Sequence, residues 1–469
     1  MKTSEIFARA AEIASKPLPS LNPIALNASI NEIKSRTKRS AELTERAKKV
    51  LPNGSQHTLP LSNPYPFFMQ KGMGSLLLDV DGNEYTDYIL SGGAIILGHN
   101  DPELIQSIQT LLSTKTHFHG HFDELELDAA EAVISFFPSI EKVRFTASGS
   151  EANNAAIKIA RAVTGKKKLI KFLGHYHGWG HEYLMDVEVP GSGKFVTNGI
   201  PDEYMDQTIL VPPNDLEKLE DVFRAHQADG GIAAVIIEPY GAESGLVPIA
   251  EGFNEAALEM AHRYGALYIM DEVVTGFRLG KGGAQQRLGV MPDLTTLGKG
   301  LMNGFPSCGA VGGKREYMDA ANVSIPHSTP YTYVAGTLSG NALSVAACKH
   351  VVTTLATTNR LEIAEKMAED VVSKLNTLFT SYQSDFFAYN IGNILRVELT
   401  APHAVPLTSQ EALMEVVSRR QILSSYSAIV ASTGVLSRHG RDFVSCAHTE
   451  QDNDRYVAGY EKLLQSFSR

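Results

Sequence analysis

Short apolar runs alternate with longer amphipathic segments through the middle of the chain. The runs have the length and composition of buried strands, and the segments between them carry the apolar spacing of helices. This alternation predicts βαβ units, and therefore a mostly parallel sheet with helices on both faces. The predicted strands are 142–146, 169–172, 208–211, 233–238, 266–270 and 294–297.

The amino-terminal part of the chain has a different pattern. Residues 3–15 predict a short amphipathic helix, and the prolines and asparagines of 16–27 predict a linker. A second helix is predicted over 37–50, because the Pro-Asn-Gly sequence at 52–54 is a typical stop signal. We expect this arm to pack on the main body or on a partner subunit.

Two further patterns divide the rest of the chain. Over 75–90, two alternating runs flank Asp81 and Gly82, which predicts a β-hairpin. After Gly340 a long helix over 342–355 leads into mixed helices and strands. The predicted organisation is an amino-terminal arm over 1–74, a large α/β domain over 75–340 and a small α+β domain over 341–469.

Composition narrows the class of protein. The 469 residues are 43% hydrophobic and 20% charged, which is ordinary for a globular protein. The formal charge of −10 argues against nucleic acid or an anionic membrane surface as the main partner. No apolar stretch is long enough to span a bilayer, and the first residues lack a signal-peptide core. Three widely spaced cysteines fit a reducing compartment, so we expect a cytoplasmic protein.

An acid and an amine follow two of the predicted strands. Asp271 comes directly after the run 266–270, and Lys299 stands between two glycines after the run 294–297. In an open α/β sheet, ligands bind outside the carboxyl ends of the strands, so both groups can face one pocket. A lysine that forms a Schiff base and a carboxylate that pairs with a pyridine nitrogen are the two groups that pyridoxal phosphate requires.

Two other interpretations of this pair are open at this point. An apolar strand that ends in Asp-Glu also occurs in P-loop ATPases, and a single lysine is usually a solvated surface residue. The chain contains no GxxxxGK[ST] sequence, so the ATPase interpretation lacks its phosphate loop.

A small-residue turn after the strand 142–146 is a candidate anion site. Ser148, Gly149 and Ser150 lead directly into a predicted helix over 151–162. Such a turn offers unpaired backbone N–H groups and the positive end of the helix dipole to a phosphate. The simpler interpretation is a serine that only caps the helix.

Three more loops carry polar residues and glycine where predicted elements end. The loop 174–180, GHYHGWG, has two histidines and two aromatic rings that could stack on a planar ligand. Glu238 and Glu243 follow the strand 233–238, and the turn 335–341 precedes a helix. His181-Glu182 lacks the second histidine of HExxH, so we expect no metal site. Several loops at strand ends indicate one composite pocket.

Taken together, these stretches resemble a class III pyridoxal-phosphate aminotransferase of fold type I. The chain is most similar to the branch of glutamate-1-semialdehyde aminomutase and the related β-amino-acid aminotransferases. The resemblance runs from about residue 51 to the carboxyl end. Its markers are LDVDGNEYTDY, ILGH, SGSEANNAAIKIARAVTG, YHG, EP, MDEVVTGFR, PDLTTLGKG and AGTLSGN.

The resemblance implies catalytic roles for three residues. Lys299 would form the Schiff base with pyridoxal 5′-phosphate and then move a proton between substrate and cofactor. Asp271 would pair with the pyridinium nitrogen. Tyr176 would stack on one face of the ring, opposite Val273.

It also implies further cofactor contacts. Gly149 and Ser150 would bind the phosphate, with Ser148 adjacent, and His177 and Glu238 would belong to the same cofactor site. Thr337 is similar to a residue that reaches the phosphate of the neighbouring subunit, which implies a homodimer.

The substrate side departs from the aminomutase pattern. His57 stands where the β-amino-acid enzymes place an arginine, and Gly92 stands where the aminomutase has a bulky aromatic residue. Glu243 matches a glutamate that ω-amino-acid enzymes pair with an arginine, but Phe443 occupies the position of that arginine. Arg441, with Arg438 as a weaker candidate, is the cation that we expect to pair with Glu243. The role of a solvated surface charge is the alternative for Glu243.

The predicted activity is transamination by a ping-pong mechanism, from an amine or amino-acid donor to a keto or aldehyde acceptor. An aminomutase or an amino-acid racemase on the same cofactor is the first alternative, because these enzymes share the lysine, the acid and the stacking residues. A decarboxylase is less favoured. A non-catalytic protein that binds partners through its arm is the alternative from another class, although it would not need Lys299, Asp271 and Tyr176 together.

Overall fold

The computed structural model describes residues 1–56, 63–115, 123–187, 197–241, 247–321, 330–405 and 410–468. Within these ranges the chain forms two compact units. One consists of residues 1–101 and 362–469, and the other of residues 102–361. These bounds do not follow the predicted three-part division, which stays a prediction.

The helices and strands are given in chain order. The helices are α1 (Thr3–Ala14), α2 (Pro23–Arg36), α3 (Lys38–Ala47), α4 (Leu90–Gly93), α5 (Pro102–Thr114), α6 (Glu124–Phe136), α7 (Gly149–Thr164), α8 (Leu216–His226), α9 (Phe253–Arg263), α10 (Gly283–Leu288), α11 (Arg315–Met318), α12 (Ala342–Thr357), α13 (Arg360–Ser381), α14 (Gln410–Ala431) and α15 (Glu450–Gln465). The strands are β1 (Met69–Met73), β2 (Leu76–Asp79), β3 (Glu84–Asp87), β4 (Lys142–Thr146), β5 (Lys168–Phe172), β6 (Thr208–Val211), β7 (Ile232–Ile237), β8 (Leu267–Asp271), β9 (Leu294–Gly298), β10 (Gly309–Gly313), β11 (Phe387–Ile391), β12 (Ile394–Glu398), β13 (Val435–Leu436) and β14 (Arg441–Phe443).

The unit 102–361 is built on a seven-stranded sheet with the order β4-β10-β9-β8-β7-β5-β6. Strand β10 is antiparallel to both of its neighbours, and the other strands are parallel to one another. Every residue of β7, β8 and β9 is buried, as expected when both faces of a parallel sheet are covered. The predicted fold type and its mostly parallel sheet are therefore confirmed.

The strand order explains why the predicted site residues meet. All six parallel strands point their carboxyl ends to the same edge of the sheet. The six predicted strands agree with β4 to β9 to within one residue at either end. They were predictable because each is a short, continuous apolar run, which is typical of strands buried on both faces.

The unit 1–101 and 362–469 contains two smaller sheets. Strands β1, β2, β3 and β13 form one, and the predicted hairpin around Asp81 and Gly82 is the antiparallel pair β2–β3. Strand β13 pairs with β3 in parallel, so the carboxyl-terminal part of the chain completes a sheet begun near the amino terminus. Strands β11, β12 and β14 form the other sheet. Such pairing between distant segments leaves no local signal in the sequence.

The structure corrects the prediction for the amino-terminal arm. The first helix is confirmed as α1, but helix α2 begins at Pro23, inside the segment that was predicted as a linker. Asn22 caps this helix by accepting the Ile24 N–H, and proline is favoured at the first helical position. The linker prediction was wrong at this point, because a proline at the first helical position begins a helix and does not break it. Helix α3 is also shorter than predicted and ends at Ala47.

None of the helices in the described ranges combines the length and the apolar composition that a membrane span requires. Cys308, Cys348 and Cys446 are not joined by a disulfide. The predicted cytoplasmic location stays a prediction.

Candidate active site

The acid and the amine lie at the ends of two adjacent parallel strands. Asp271 is the last residue of β8, and it pairs in register with Thr296 of β9. Lys299 follows Gly298, the last residue of β9. The backbone of Lys299 is in the left-handed region, with φ of 44°, which non-glycine residues rarely adopt. Such conformations concentrate at functional sites, because the surrounding structure must hold them in place.

Three donors surround the Asp271 carboxylate. Its Oδ2 accepts the Asn153 amide at 2.8 Å and lies 2.7 Å from Nδ1 of His177. Its Oδ1 accepts the Val273 N–H at 3.0 Å. Asn153 is itself oriented by Thr296, whose hydroxyl donates to the amide oxygen at 2.7 Å. Asp271 is only 5% exposed, so this network fixes the direction of a buried carboxylate.

His177 contributes a neutral imidazole to this network. Burial lowers its pKa below the usual value, although the hydrogen bond to Asp271 acts in the opposite direction. A neutral ring that contacts a carboxylate through Nδ1 carries its proton there. Nε2 is then an acceptor, and it is buried without a hydrogen-bond partner among the described residues.

The loop 174–180 places its rings on two sides. His175 and His177 are buried, whereas Tyr176 is 43% exposed and Trp179 is 76% exposed. The Tyr176 N–H donates to Glu238 Oε1 at 2.7 Å, which ties the loop to the end of β7. The buried histidines serve in hydrogen bonds. The structure therefore leaves Tyr176, and not the histidines, as the candidate ring for stacking next to the acid.

The start of helix α7 faces the same edge of the sheet. Ser148 caps the helix, because its hydroxyl accepts the Glu151 N–H at 3.2 Å. Gly149 is required by close packing, since a Cβ atom there would lie 2.9 Å from both Cγ atoms of Val273. The first turn of a helix has amide groups that no helical carbonyl satisfies, so Gly149 and Ser150 can serve an anion.

Gly178 connects the two loops. Its φ is +103°, and a Cβ atom there would lie 2.2 Å from the Ser150 hydroxyl oxygen. The loop that carries Tyr176 and His177 is therefore in contact with the candidate phosphate site, as a composite pocket requires.

Thr337 lies in an exposed turn before helix α12, which Asn341 caps. In the same turn, a Cβ atom on Gly336 would lie 3.6 Å from Glu151 Oε2 in the first part of α7. A single chain does not test the contact of Thr337 with a neighbouring subunit, which stays a prediction.

The predicted substrate residues belong to other parts of the chain. His57 and Glu243 lie outside the described residues. Gly92 is buried in α4, where its φ is +70°. Arg441 and Phe443 lie two apart in β14 and so share one face of that strand. The proposed pairing of Glu243 with Arg441 or Arg438 stays a prediction.

Sequence analysis missed three residues of the site. Asn153 donates to Asp271, and Thr296 orients Asn153. The fully buried Lys171 donates to the Met185 carbonyl, after the loop 174–180. A charged lysine inside an apolar strand sequence was a visible signal for Lys171. Asn153 and Thr296 carried no such signal, because their roles depend on contacts between distant segments.

Comparison with known proteins agrees with this geometry. Residues 60–438 match the family model of class III aminotransferases. Glutamate-1-semialdehyde 2,1-aminomutase from Persephonella marina is 37% identical, over 89% of this chain and 96% of that protein.

Two solved structures have a similar fold. An ω-transaminase from Sphaerobacter thermophilus has a TM-score of 0.83 and 28% identity, covering 92% of this chain and 99% of that one. A β-phenylalanine aminotransferase from Variovorax paradoxus has a TM-score of 0.79 and 27% identity, covering 93% and 96%. The chain therefore belongs to the class III aminotransferase family, whose members are enzymes that depend on pyridoxal phosphate.

Proposed function

We propose that this chain is an aminotransferase that moves an amino group from an amine or amino-acid donor to a keto or aldehyde acceptor. The observation that carries the proposal is the placement of Asp271 and Lys299 at the ends of adjacent parallel strands. The start of α7 and the loop that carries Tyr176 lie at the same edge. An amine, a directed carboxylate and an anion site are the set of groups that fits pyridoxal phosphate.

Each residue has a separate task in this proposal. When bound, the cofactor supplies an aldehyde and a ring that withdraws electrons. Lys299 Nζ would hold the aldehyde and then accept and return the proton at the substrate carbon. Asp271 would accept the N–H of the pyridine nitrogen, and Gly149 and Ser150 would bind the phosphate. Tyr176 and Val273 would confine the ring between them.

An aminomutase is the second candidate, and the names of relatives favour it directly. The Persephonella protein that matches nearly the whole chain is named as glutamate-1-semialdehyde 2,1-aminomutase. Against this identity, the sequence has Gly92 where that branch has a bulky aromatic residue. The ω-transaminase and the β-phenylalanine aminotransferase support separate donors and acceptors by structural similarity. A racemase would use the same residues.

A half-reaction experiment separates these candidates. Purified enzyme with bound cofactor is mixed with single amines and with α-, β- and ω-amino acids, while the visible absorption of the cofactor is followed. We expect the band to bleach with a donor and to return when a keto acid or aldehyde is added. A band that persists while the substrate isomerises or racemises would replace the proposal with the mutase or the racemase. No visible band with added cofactor would overturn the catalytic assignment.

We further propose that the active form is a homodimer. Three large apolar side chains on the segments that carry Tyr176 and Thr337 are more than half exposed in the single chain: Trp179, Tyr333 and Leu338. Exposed apolar side chains near a site are typical of subunit interfaces.

Light scattering should give about twice the chain mass of 50.9 kDa. Thr337→Ala should weaken cofactor affinity about tenfold, the loss of one phosphate hydrogen bond, without changing that mass. A monomer with full cofactor affinity would contradict the proposal.

Gly178→Ala should weaken cofactor binding by about tenfold or more. The added Cβ would meet the Ser150 hydroxyl oxygen at 2.2 Å and the Ser150 Cα at 2.9 Å, so a rotation of the hydroxyl cannot relieve the clash. A tenfold loss of affinity corresponds to about 1.4 kcal/mol of binding free energy.

Gly165→Ala is the matched control for this variant. Gly165 also has a positive φ, +69°, but nothing lies within 4 Å of its added Cβ. Both variants should lose some stability from backbone strain, and only Gly178→Ala should lose cofactor affinity in a fluorescence titration. Equal affinities would show that the contact between Gly178 and Ser150 does not shape the site.

A further inference from the structure

A buried lysine lies beneath the loop that carries Tyr176 and His177. Lys171 is on β5, which is paired on both sides by β6 and β7, and its side chain is fully buried. Its Nζ donates to the Met185 carbonyl at 2.8 Å. Burying an ammonium group in a strand that is paired on both sides is costly, so it requires compensating interactions.

Lys171 links the start of this loop, which follows β5, to the segment after it. Its ammonium bonds the Met185 carbonyl on the returning chain, and the Gly174 N–H donates to the neighbouring Asp186 carbonyl at 3.0 Å. The loop between these two contacts contains Tyr176 and His177. A shift of Lys171 would therefore move the residues that face the cofactor site.

Four buried titratable side chains interact electrostatically with Lys171. Asp186 and Glu238 are both buried, and their negative charges favour the ammonium form. His175 and His177 are also buried, and the ammonium opposes a positive charge on either ring. Burial outweighs the two carboxylates and lowers the pKa of Lys171 to about 8. Lys171 is therefore mainly charged at neutral pH and loses its charge as the pH rises through about 8.

The neutral rings of His175 and His177 carry their protons on different nitrogen atoms. The Glu238 N–H donates to Nδ1 of His175 at 3.0 Å, so His175 carries its proton on Nε2. His177 instead directs Nδ1 at Asp271, whose negative charge favours protonation of the ring. If His177 became an imidazolium, it would compensate the Asp271 charge that the pyridine nitrogen needs.

We propose that Lys171 is a positioning residue whose ammonium holds the Tyr176–His177 loop and adds to the burial that disfavours a positive charge on His177. Asp271 then retains its negative charge for the pyridine nitrogen of the cofactor. This inference rests on the role proposed for Asp271, but its first test uses the enzyme without cofactor.

The first test is the titration of His177 in the apoenzyme. The enzyme is labelled with ¹³C-histidine, and the His177 signal is assigned by its loss in His177→Gln. Lys171→Met should raise the pH midpoint of His177 by about half a unit or more, because a positive neighbour is removed. Lys171→Arg, which keeps the charge, and Lys167→Met, an exposed lysine nearby, should leave the midpoint unchanged. An unchanged midpoint in Lys171→Met would overturn the electrostatic part of the inference.

The second test is the pH dependence of cofactor affinity. Lys171→Met should bind pyridoxal phosphate more weakly than wild type at pH 6, by about threefold or more, which is the equivalent of the half-unit shift expected for His177. The difference should become small at pH 9, where wild-type Lys171 has also lost its charge. A purely structural role would weaken affinity equally at both pH values and would refute the inference.

A measurement on the wild type covers the case in which Lys171→Met does not fold. The His177 signal should show a second, smaller step near pH 8, where Lys171 loses its proton. A single-step titration would contradict the inference. A positive titration combined with a failed half reaction would leave the Lys171 inference intact and refute only the proposed activity.

Discussion

Lys299→Ala should reduce the rate of the half reaction by about 10²–10⁴-fold, the range for loss of a positioned acid–base group. The variant should keep its fold, because Lys299 lies after the last residue of β9 and outside the sheet pairing. Alanine keeps the same backbone penalty at φ of 44°, so the change removes the amine without relieving the strain. The single-turnover rate with the best donor is the measurement.

Lys281→Ala is the control for this variant. Lys281 is exposed, lies in the same compact unit and has no place in the proposed chemistry. It should retain full activity, and both variants should unfold at the same temperature. If Lys299→Ala turned over at the wild-type rate, the assignment of Lys299 would be wrong, and with it the proposed mechanism.

Much of the fold and the outline of the site could be predicted from local sequence. Strands β4 to β9 are short apolar runs, and a continuous apolar sequence is typical of a strand that is buried on both faces. Asp271 and Lys299 were predictable as neighbours because parallel strands share one carboxyl edge. The hydrogen-bond partners of Asp271 could not be predicted. Asn153 belongs to α7, and its contact with Asp271 spans 118 positions of the chain.

Other features could not be predicted for a different physical reason. The pairing of β13 with β3 joins residues near 86 and 435 and depends on tertiary packing alone. Helix α2 was missed because proline is both a helix breaker and a favoured first residue, and only the Asn22 cap decides between the two. The effect that we propose for Lys171 on His177 could not be predicted either, because it depends on both side chains being buried inside the protein.

Asp271→Asn should reduce the half-reaction rate by about 10²–10³-fold, because the charge opposite the pyridine nitrogen is lost. It should also destabilise the fold by about 1–3 kcal/mol. The carboxylate accepts from His177 and Asn153 through one oxygen and from Val273 through the other. An asparagine has one acceptor oxygen and one donor NH₂ group, so the NH₂ group must face a donor in either orientation.

Asp293→Asn separates the loss of stability from the loss of charge at the site. Asp293 is another fully buried carboxylate of the same unit, and its Oδ2 accepts the Tyr268 N–H and contacts His262, both at 2.8 Å. It precedes β9 and so lies at the opposite edge of the sheet from Lys299. Both variants should lower the urea midpoint by a comparable amount, and only Asp271→Asn should slow the half reaction. Equal rate losses would mean that the effect of Asp271 is structural and that another group supports the pyridine nitrogen.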